Sequence, residues 1–206
     1  MECHTLLPGG RDERTTGRIR RVTDLPAQPR IAPLPATDDQ RQLNIFRTLG
    51  RNHDLYKGFL ALGGHLLGGS GLPAREREIV ILRTGFRSGS EYEFGQHTRI
   101  GAAVGLTDAE IARLADAGGG TWSDDDAALV AMVDELCDDD VVSEPTWGRL
   151  TTRWSDEQLL ELLVLAGYYR LVSGLLNSVG VALEPETPGW PDAMTQPRRA
   201  PREVAT

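Results

Sequence analysis

The stretch from Leu159 to Leu183 constrains the fold most, because it is apolar around the whole circumference of a helix. Leucines occur on every side of it, at Leu159, Leu160, Leu162, Leu163, Leu165, Leu171, Leu175 and Leu176. A helix that is apolar all round is buried on more than one side. In a chain of 206 residues, this predicts either a central core helix or a subunit interface.

The rest of the chain also shows helical spacing of its apolar residues, and strand signals are nearly absent. An extended lead-in is predicted around four prolines, Pro26, Pro29, Pro33 and Pro35. The spacing then predicts helices near 38–49, 53–68, 73–87, 90–104, 107–116, 123–138, 144–153 and 155–183. We therefore expect an all-α, multi-helix bundle at 38–187, between an extended or disordered N-terminal arm at 1–37 and a flexible C-terminal tail at 188–206.

Composition indicates one globular domain, with 40% hydrophobic and 25% charged residues. No uninterrupted apolar run approaches the roughly 20 residues that span a bilayer, and the N-terminus lacks the apolar core of a secretory signal. We therefore expect a cytoplasmic protein without a membrane partner. Residues 38–190 carry 13 Arg/Lys against 24 Asp/Glu, which argues against nucleic-acid binding. The arginine-rich N-terminal arm is interpreted as either a nucleic-acid arm or a disordered segment.

The chain has two cysteines, Cys3 and Cys137, and neither belongs to a Cys-x-x-Cys pair. A disulfide scaffold or a zinc site is therefore not expected, and no metal or other cofactor is predicted. Acidic clusters follow Thr107, Ser123 and Ser155, the pattern of helix starts with N-caps. The run 138–140, three aspartates at a predicted helix end, is either a solvated loop or a cation site.

The segment Ser90-Glu91-Tyr92-Glu93-Phe94-Gly95-Gln96-His97 places a carboxylate and an imidazole four residues apart. On a helix, Ser90, Glu93 and His97 share one face. A Glu beside a His forms a general acid/base pair, because each shifts the pKa of the other. The alternative is an ordinary structural pair. Upstream, Glu78 lies where a helix enters the core, and it either pairs with an arginine or faces a polar pocket.

Residues 30–185 resemble the carboxymuconolactone decarboxylase and alkylhydroperoxidase D-like (AhpD-like) family. The resemblance rests on several blocks in order: Arg30-Ile31-Ala32-Pro33-Leu34, Asn52-His53-Asp54-Leu55, Leu72-Pro73-Ala74-Arg75-Glu76-Arg77-Glu78-Ile79, Tyr92-Glu93-Phe94 with His97, Trp147 and Tyr168. It implies an AhpD-like all-α fold and a homo-oligomer (dimer, trimer or hexamer) assembled through the long helices. In the peroxidase branch of this family, a Glu relays protons through a His to a Cys-x-x-Cys pair.

By this resemblance, Glu78 and His97 match the relay residues, while Ser90 and Glu93 occupy the two cysteine positions. Neither a hydroxyl nor a carboxylate can perform thiol redox chemistry. The resemblance thus implies the decarboxylase-type branch: a cofactor-independent lyase or isomerase acting on a small organic acid or a lactone or β-keto-type substrate. We expect His97 to exchange protons with carbon, Glu93 to orient His97, and Glu78 to relay protons. A peroxidase-like antioxidant protein and a non-catalytic small-molecule-binding protein are the alternatives.

Further residues are candidates for substrate binding. Tyr92 lies beside Glu93, and Ser90 shares its face. His53 begins a predicted helix, and His65 lies among glycines and leucines. On the last helix, Tyr168 and Asn177 serve either close helix packing or a pocket opposite His97. The substrate itself is not specified by these patterns.

Overall fold

The computed structural model describes residues 25–36, 43–116 and 121–191. They form eight α-helices: α1 (Asn44–Leu49), α2 (His53–Gly64), α3 (Ala74–Arg87), α4 (Glu91–Ala103), α5 (Asp108–Leu114), α6 (Asp124–Asp139), α7 (Glu144–Leu150) and α8 (Asp156–Val179). A π-helical turn, His65–Gly69, continues α2. The described residues contain no strand, so the predicted all-α bundle is confirmed. The N-terminal arm up to residue 24, the Arg-rich segment, Cys3 and the tail from 192 lie outside the described residues.

Helix α3 is the centre of the bundle and packs against α4, α6 and α8. Every residue of α3 from Glu78 to Arg87 is buried. Helix α8, which we expected either in the core or at an interface, buries one side and exposes Leu160, Val164 and Leu171 on another. It is also long and apolar enough to cross a membrane by length and composition, and half of its apolar window is buried inside the fold.

Side-chain caps define the helix starts as the sequence predicted. Thr107 and Ser155 form complete capping boxes with Glu110 and Gln158, and the Ser123 hydroxyl accepts a hydrogen bond from the Asp126 backbone N–H. Each such cap is worth about 1 kcal/mol. The acidic clusters at the N-termini of α6 and α8 therefore follow helix starts, where negative charge is favourable.

At the C-terminus of α6, arginines compensate the unfavourable negative charge. Asp138 pairs with Arg87 at 2.5 Å, and Asp140, at φ 58°, pairs with Arg170. No group of potential metal ligands is found in the described part of the chain. Deeper in the core, Arg83 is 1% exposed and donates to both carboxylate oxygens of Asp134 at 2.8 Å. These contacts join α3 to α6.

The segment 184–190 packs over the outer face of α4. Glu184 accepts hydrogen bonds from the Tyr92 hydroxyl at 2.8 Å and from the side-chain amide of Gln96. The ring centroids of Trp190 and Phe94 lie 5.2 Å apart. Gly95 is required at this contact, because a Cβ there would overlap the carbonyl oxygen of Pro188. The beginning of the predicted C-terminal tail, 188–190, is thus packed against α4.

We predict that Gly95→Ala lowers the free energy of unfolding by about 1–3 kcal/mol, the usual cost of overpacking. The control is Gly148→Ala on α7, where a Cβ meets no atom within 4 Å. That change should be neutral or stabilising by up to about 1 kcal/mol, because alanine favours the helix. Urea unfolding measures both values, and equal stabilities would contradict packing of 184–190 over Gly95.

Candidate functional site

The turn between α3 and α4 brings the two helices into close contact. Gly89 has φ 63°, a conformation that favours glycine. The Ser90 hydroxyl caps α4 by accepting from the Glu93 backbone N–H at 3.4 Å. At Gly85 a Cβ would lie 3.3 Å from the backbone nitrogen of Phe94, so glycine allows the close approach. Residues on the inner face of α4 therefore lie directly against α3.

This packing brings three predicted residues together in a buried chain of contacts. The Glu78 Oε2 atom lies 2.6 Å from Nδ1 of His97, and Glu93 Oε1 lies 3.1 Å from Nε2 of the same ring. Glu78 is 0% exposed, Glu93 4% and His97 5%. Both ring nitrogens of His97 therefore contact a carboxylate.

A fourth charged residue extends the chain at its buried end. Arg77 Nε lies 3.7 Å from Glu78 Oε1, and neither of these two buried atoms has a hydrogen-bond partner. The order is Arg77, Glu78, His97 and Glu93, so formal charges alternate when His97 is protonated. We call these four residues the charge chain. Sequence reasoning left open an arginine partner for Glu78 but did not identify Arg77.

The charge chain sets the protonation state of His97. Burial of the ring lowers its pKa, but the hydrogen bonds and negative charges of Glu78 and Glu93 outweigh this effect and raise the pKa to about 9. At neutral pH the ring is an imidazolium that donates one N–H to each carboxylate. His97 thus links the two carboxylates in a path along which a proton can move.

Aromatic residues of α8 cover the charge chain. The Tyr169 ring stands edge-on to the His97 ring, with centroids 5.0 Å apart, and also contacts the ring of Tyr168. The Tyr168 hydroxyl donates to the backbone carbonyl of Phe59 at 3.0 Å. Tyr169 was not among the predicted site residues, although its neighbour Tyr168 was. The sequence alone does not show which of these two tyrosines contacts His97, because this depends on how α8 packs against α4.

The other predicted residues lie elsewhere in the fold. Tyr92 bonds Glu184, and the Asn177 side-chain amide donates to the Ser88 carbonyl at 3.0 Å. Both line a cavity of about 120 Å³ between the lead-in, α4 and α8. His65 lies 3.3 Å from Glu161, and His53 is exposed at the start of α2. No contact among the described residues joins these four side chains to His97.

Solved structures with the same fold include AhpD-like proteins. The debrominase Bmp8, as a cysteine-to-alanine variant in complex with 2,3,4-tribromopyrrole, aligns with a TM-score of 0.67 and 13% identity, over 79% of this chain and 95% of that chain. A protein of unknown function from Agrobacterium tumefaciens, a candidate AhpD antioxidant defence protein, aligns with a TM-score of 0.61 and 16% identity. The alignment covers 66% of this chain and 94% of that chain. An uncharacterised peroxidase-related protein with an AhpD core, from Ralstonia eutropha JMP134, aligns with a TM-score of 0.62 and 19% identity. The alignment covers 69% of this chain and 77% of that chain.

The chain thus has the fold of AhpD-like proteins, with a buried carboxylate–imidazole centre between α3 and α4. Residues 53–132 match the model of the carboxymuconolactone decarboxylase family. The matched segment contains Glu78, Glu93 and His97. The family resemblance seen in the sequence is therefore confirmed. Among curated proteins, no sequence matches the chain.

We predict that His97 titrates near pH 9 in the folded protein, which a ¹⁵N-detected imidazole titration measures. The folded pKa lies above the unfolded value of 6.5, so the stabilisation is complete below about pH 6.5 and is lost as pH rises through 9. The free energy of unfolding should fall by about 3 kcal/mol over this pH range. The pH dependence of unfolding should therefore flatten over this window in His97→Gln. Titration of His97 at or below its ordinary value would contradict the charge chain.

Proposed function

We propose that the protein is an enzyme that moves protons to and from a carbon atom of a small organic substrate, as in decarboxylation, isomerisation or cyclisation. The observation that carries the proposal is the buried contact of His97 with two carboxylates. Buried ionisable groups held in mutual contact are typical of general acid/base sites. The side chains of this chain are sufficient for such a reaction, so the proposal requires no cofactor.

The distances favour a division of labour that differs from the sequence expectation. Because both nitrogens of His97 contact carboxylates, we assign His97 the relay and Glu93 the exchange of protons with carbon. Glu78 is fully enclosed, whereas Glu93 retains an accessible side-chain surface of 6%. Glu93 is therefore the carboxylate that a substrate can reach. Glu78 stabilises the protonated form of His97 through its contact with Nδ1.

In the proposed reaction, Glu93 accepts a proton from a C–H group beside a carbonyl. The C–H electron pair forms a C=C bond, and the carbonyl π pair moves onto oxygen, which gives an enolate. Return of the proton to the same or another carbon completes exchange or isomerisation. In a decarboxylation, the C–C pair moves instead, carbon dioxide leaves, and protonated Glu93 supplies the carbon proton, which His97 replaces.

We also propose that the protein works in the cytoplasm on a small molecule, as a homo-oligomer without nucleic-acid or membrane partners. Exposed leucines on α2 and α8 support assembly, since Leu55, Leu160 and Leu171 are each more than half exposed. The debrominase neighbour, which is bound to a small aromatic molecule, supports a small planar substrate for this fold.

The test is deuterium incorporation from D₂O at the α-carbon of 2-tetralone, an enolisable ketone, measured by proton NMR. We expect the wild type to accelerate exchange, and His97→Gln to lower the rate by about 10²–10⁴-fold. Glu93→Gln should be at least as damaging, because it removes the carbon base itself. Glu78→Gln should retain more activity with a shifted pH–rate profile.

The matched control is Glu144→Gln on the exposed first turn of α7, which should not change the rate. Circular dichroism and thermal unfolding check that all variants fold. A wild type that does not accelerate the exchange, or a folded Glu93→Gln variant with full activity, contradicts the proposal. Tight binding of 2-tetralone without exchange would favour the non-catalytic alternative.

Thiol-blocking reagents should leave this activity unchanged, because by the family resemblance Ser90 and Glu93 occupy the positions of the cysteine pair. Cys137 is half-buried on α6, and burial raises the pKa of its thiol, so the reactive thiolate is scarce. Iodoacetamide treatment and Cys137→Ser test this expectation. Inactivation by the reagent, prevented by Cys137→Ser, would show that thiol chemistry contributes.

A further inference from the structure

The Tyr169 hydroxyl makes no hydrogen bond to another residue in the described part of the chain, and it is not fully enclosed. Tyr169 is only 3% exposed, and its ring packs on His97. The hydroxyls of Tyr92 and Tyr168 instead donate to Glu184 and to the Phe59 carbonyl. A tyrosine hydroxyl in a mostly apolar site usually has a partner, and one that is not fully enclosed can take that partner from water or from a bound molecule. Tyr169 is thus an unused donor beside the charge chain.

A second unpaired hydroxyl lies one helical turn further along α8. Ser173 is 0% exposed, and its Oγ has no hydrogen-bond partner. Residues four apart share a helix face, so Ser173 lies on the same side of α8 as Tyr169. Asn177, another turn on, contacts Ser88 at the start of the turn into α4. This face of α8 therefore packs along α4 and presents two unpaired hydroxyls.

The surroundings of Tyr169 keep its hydroxyl protonated. Burial raises its pKa, and the negative charges of Glu93 and Glu78 raise it further, while Arg77 acts weakly in the opposite direction. The hydroxyl is therefore a donor throughout the physiological pH range. It also lies within electrostatic reach of Glu93, the proposed carbon base.

We propose that the Tyr169 hydroxyl binds the carbonyl oxygen of the substrate and stabilises the negative charge that develops there. This inference rests on the proposed function and narrows its substrate class to enolisable carbonyl compounds. While Glu93 takes the carbon proton, the carbonyl π pair moves onto oxygen, and that oxygen accepts a hydrogen bond from Tyr169. Tyr169 keeps its proton throughout, and the reverse movement of electrons restores the carbonyl when carbon is protonated.

The position of Tyr169 also explains why its hydroxyl has no protein partner. A donor that is already bonded to the protein must break that bond before it can bind a substrate oxygen. Preorganised donors act without this cost, and the loss of one typically lowers turnover by about 10²–10³-fold. Tyr169→Phe removes only the oxygen and keeps the ring against His97. It should therefore lower kcat for 2-tetralone exchange by about that factor, with a smaller effect on KM.

The decisive experiment measures binding without turnover. The probe is 2-naphthol, whose planar ring and ionisable oxygen imitate an enolate. It is titrated into Glu93→Gln, where the neutral amide replaces the protonated carboxyl and does not repel the naphtholate. Absorption spectra report both the affinity and the ionised fraction of the bound probe. We expect this variant to bind 2-naphthol with more ionisation than in buffer at the same pH.

Adding Tyr169→Phe should weaken binding at least tenfold and reduce the ionised fraction. The matched control is Tyr56→Phe in α2, which removes a hydroxyl from a ring that packs on Phe46 of α1, and it should change neither value. Unchanged affinity and spectrum in the Tyr169→Phe variant, or no binding of 2-naphthol to Glu93→Gln, overturns the proposal. If Tyr169→Phe does not fold, the ¹³Cζ NMR signals of labelled tyrosine are recorded in Glu93→Gln with and without 2-naphthol. A shift of the Tyr169 signal on addition of 2-naphthol supports the proposal, and an unchanged signal overturns it.

The two proposals fail in different ways. Naphthol binding that depends on Tyr169, together with no exchange of 2-tetralone by the wild type, would retain the oxygen site and reject the proton-transfer function. Exchange that depends on Glu93 and His97 but not on Tyr169 would retain the function and reject the oxygen site.

Discussion

The contact between Glu78 and His97 is the interaction on which the rest of the site depends. A carboxylate that is completely removed from water costs several kcal/mol unless a partner compensates for its charge. Glu78 is in this position on the central helix of the bundle, and Nδ1 of His97 lies 2.6 Å away. The pair can form only if α4 lies directly against α3. The core of the bundle and the chemistry of the site therefore rely on the same packing.

Helix α4 makes different contacts on its two faces. Its inner face carries Ser90, Glu93 and His97, which contact α3 and α8 or cap the helix. Its outer face carries Tyr92, Gly95 and Gln96, which bind the segment 184–190. A motif of eight residues is thus divided between a candidate site and a structural contact. The outer face holds α4 in position, and this position places His97 between two carboxylates.

The order of charges gives the site a direction. Arg77 and Glu78 close the buried end, and Glu93 ends the chain on the accessible side. A histidine with one free nitrogen can act on a substrate directly, whereas His97 is engaged at both nitrogens. It is therefore suited to pass a proton between carboxylates. The aromatic residues of α8 reduce the access of water, which strengthens each of these electrostatic interactions.

The sequence by itself determined the features that depend on local spacing. The helical class, the caps at Thr107, Ser123 and Ser155, and the shared face of Glu93 and His97 all follow from residues within one or two turns. The family blocks added Glu78 to this group. Only the tertiary structure decided that α3 rather than α8 is the central helix, and that His53 and His65 lie apart from His97. It also decided which nitrogen of His97 meets which carboxylate, and that Tyr169 rather than Tyr168 lies against the imidazole. The physical reason is that these contacts join distant parts of the chain, where helix packing sets the distances and sequence spacing does not.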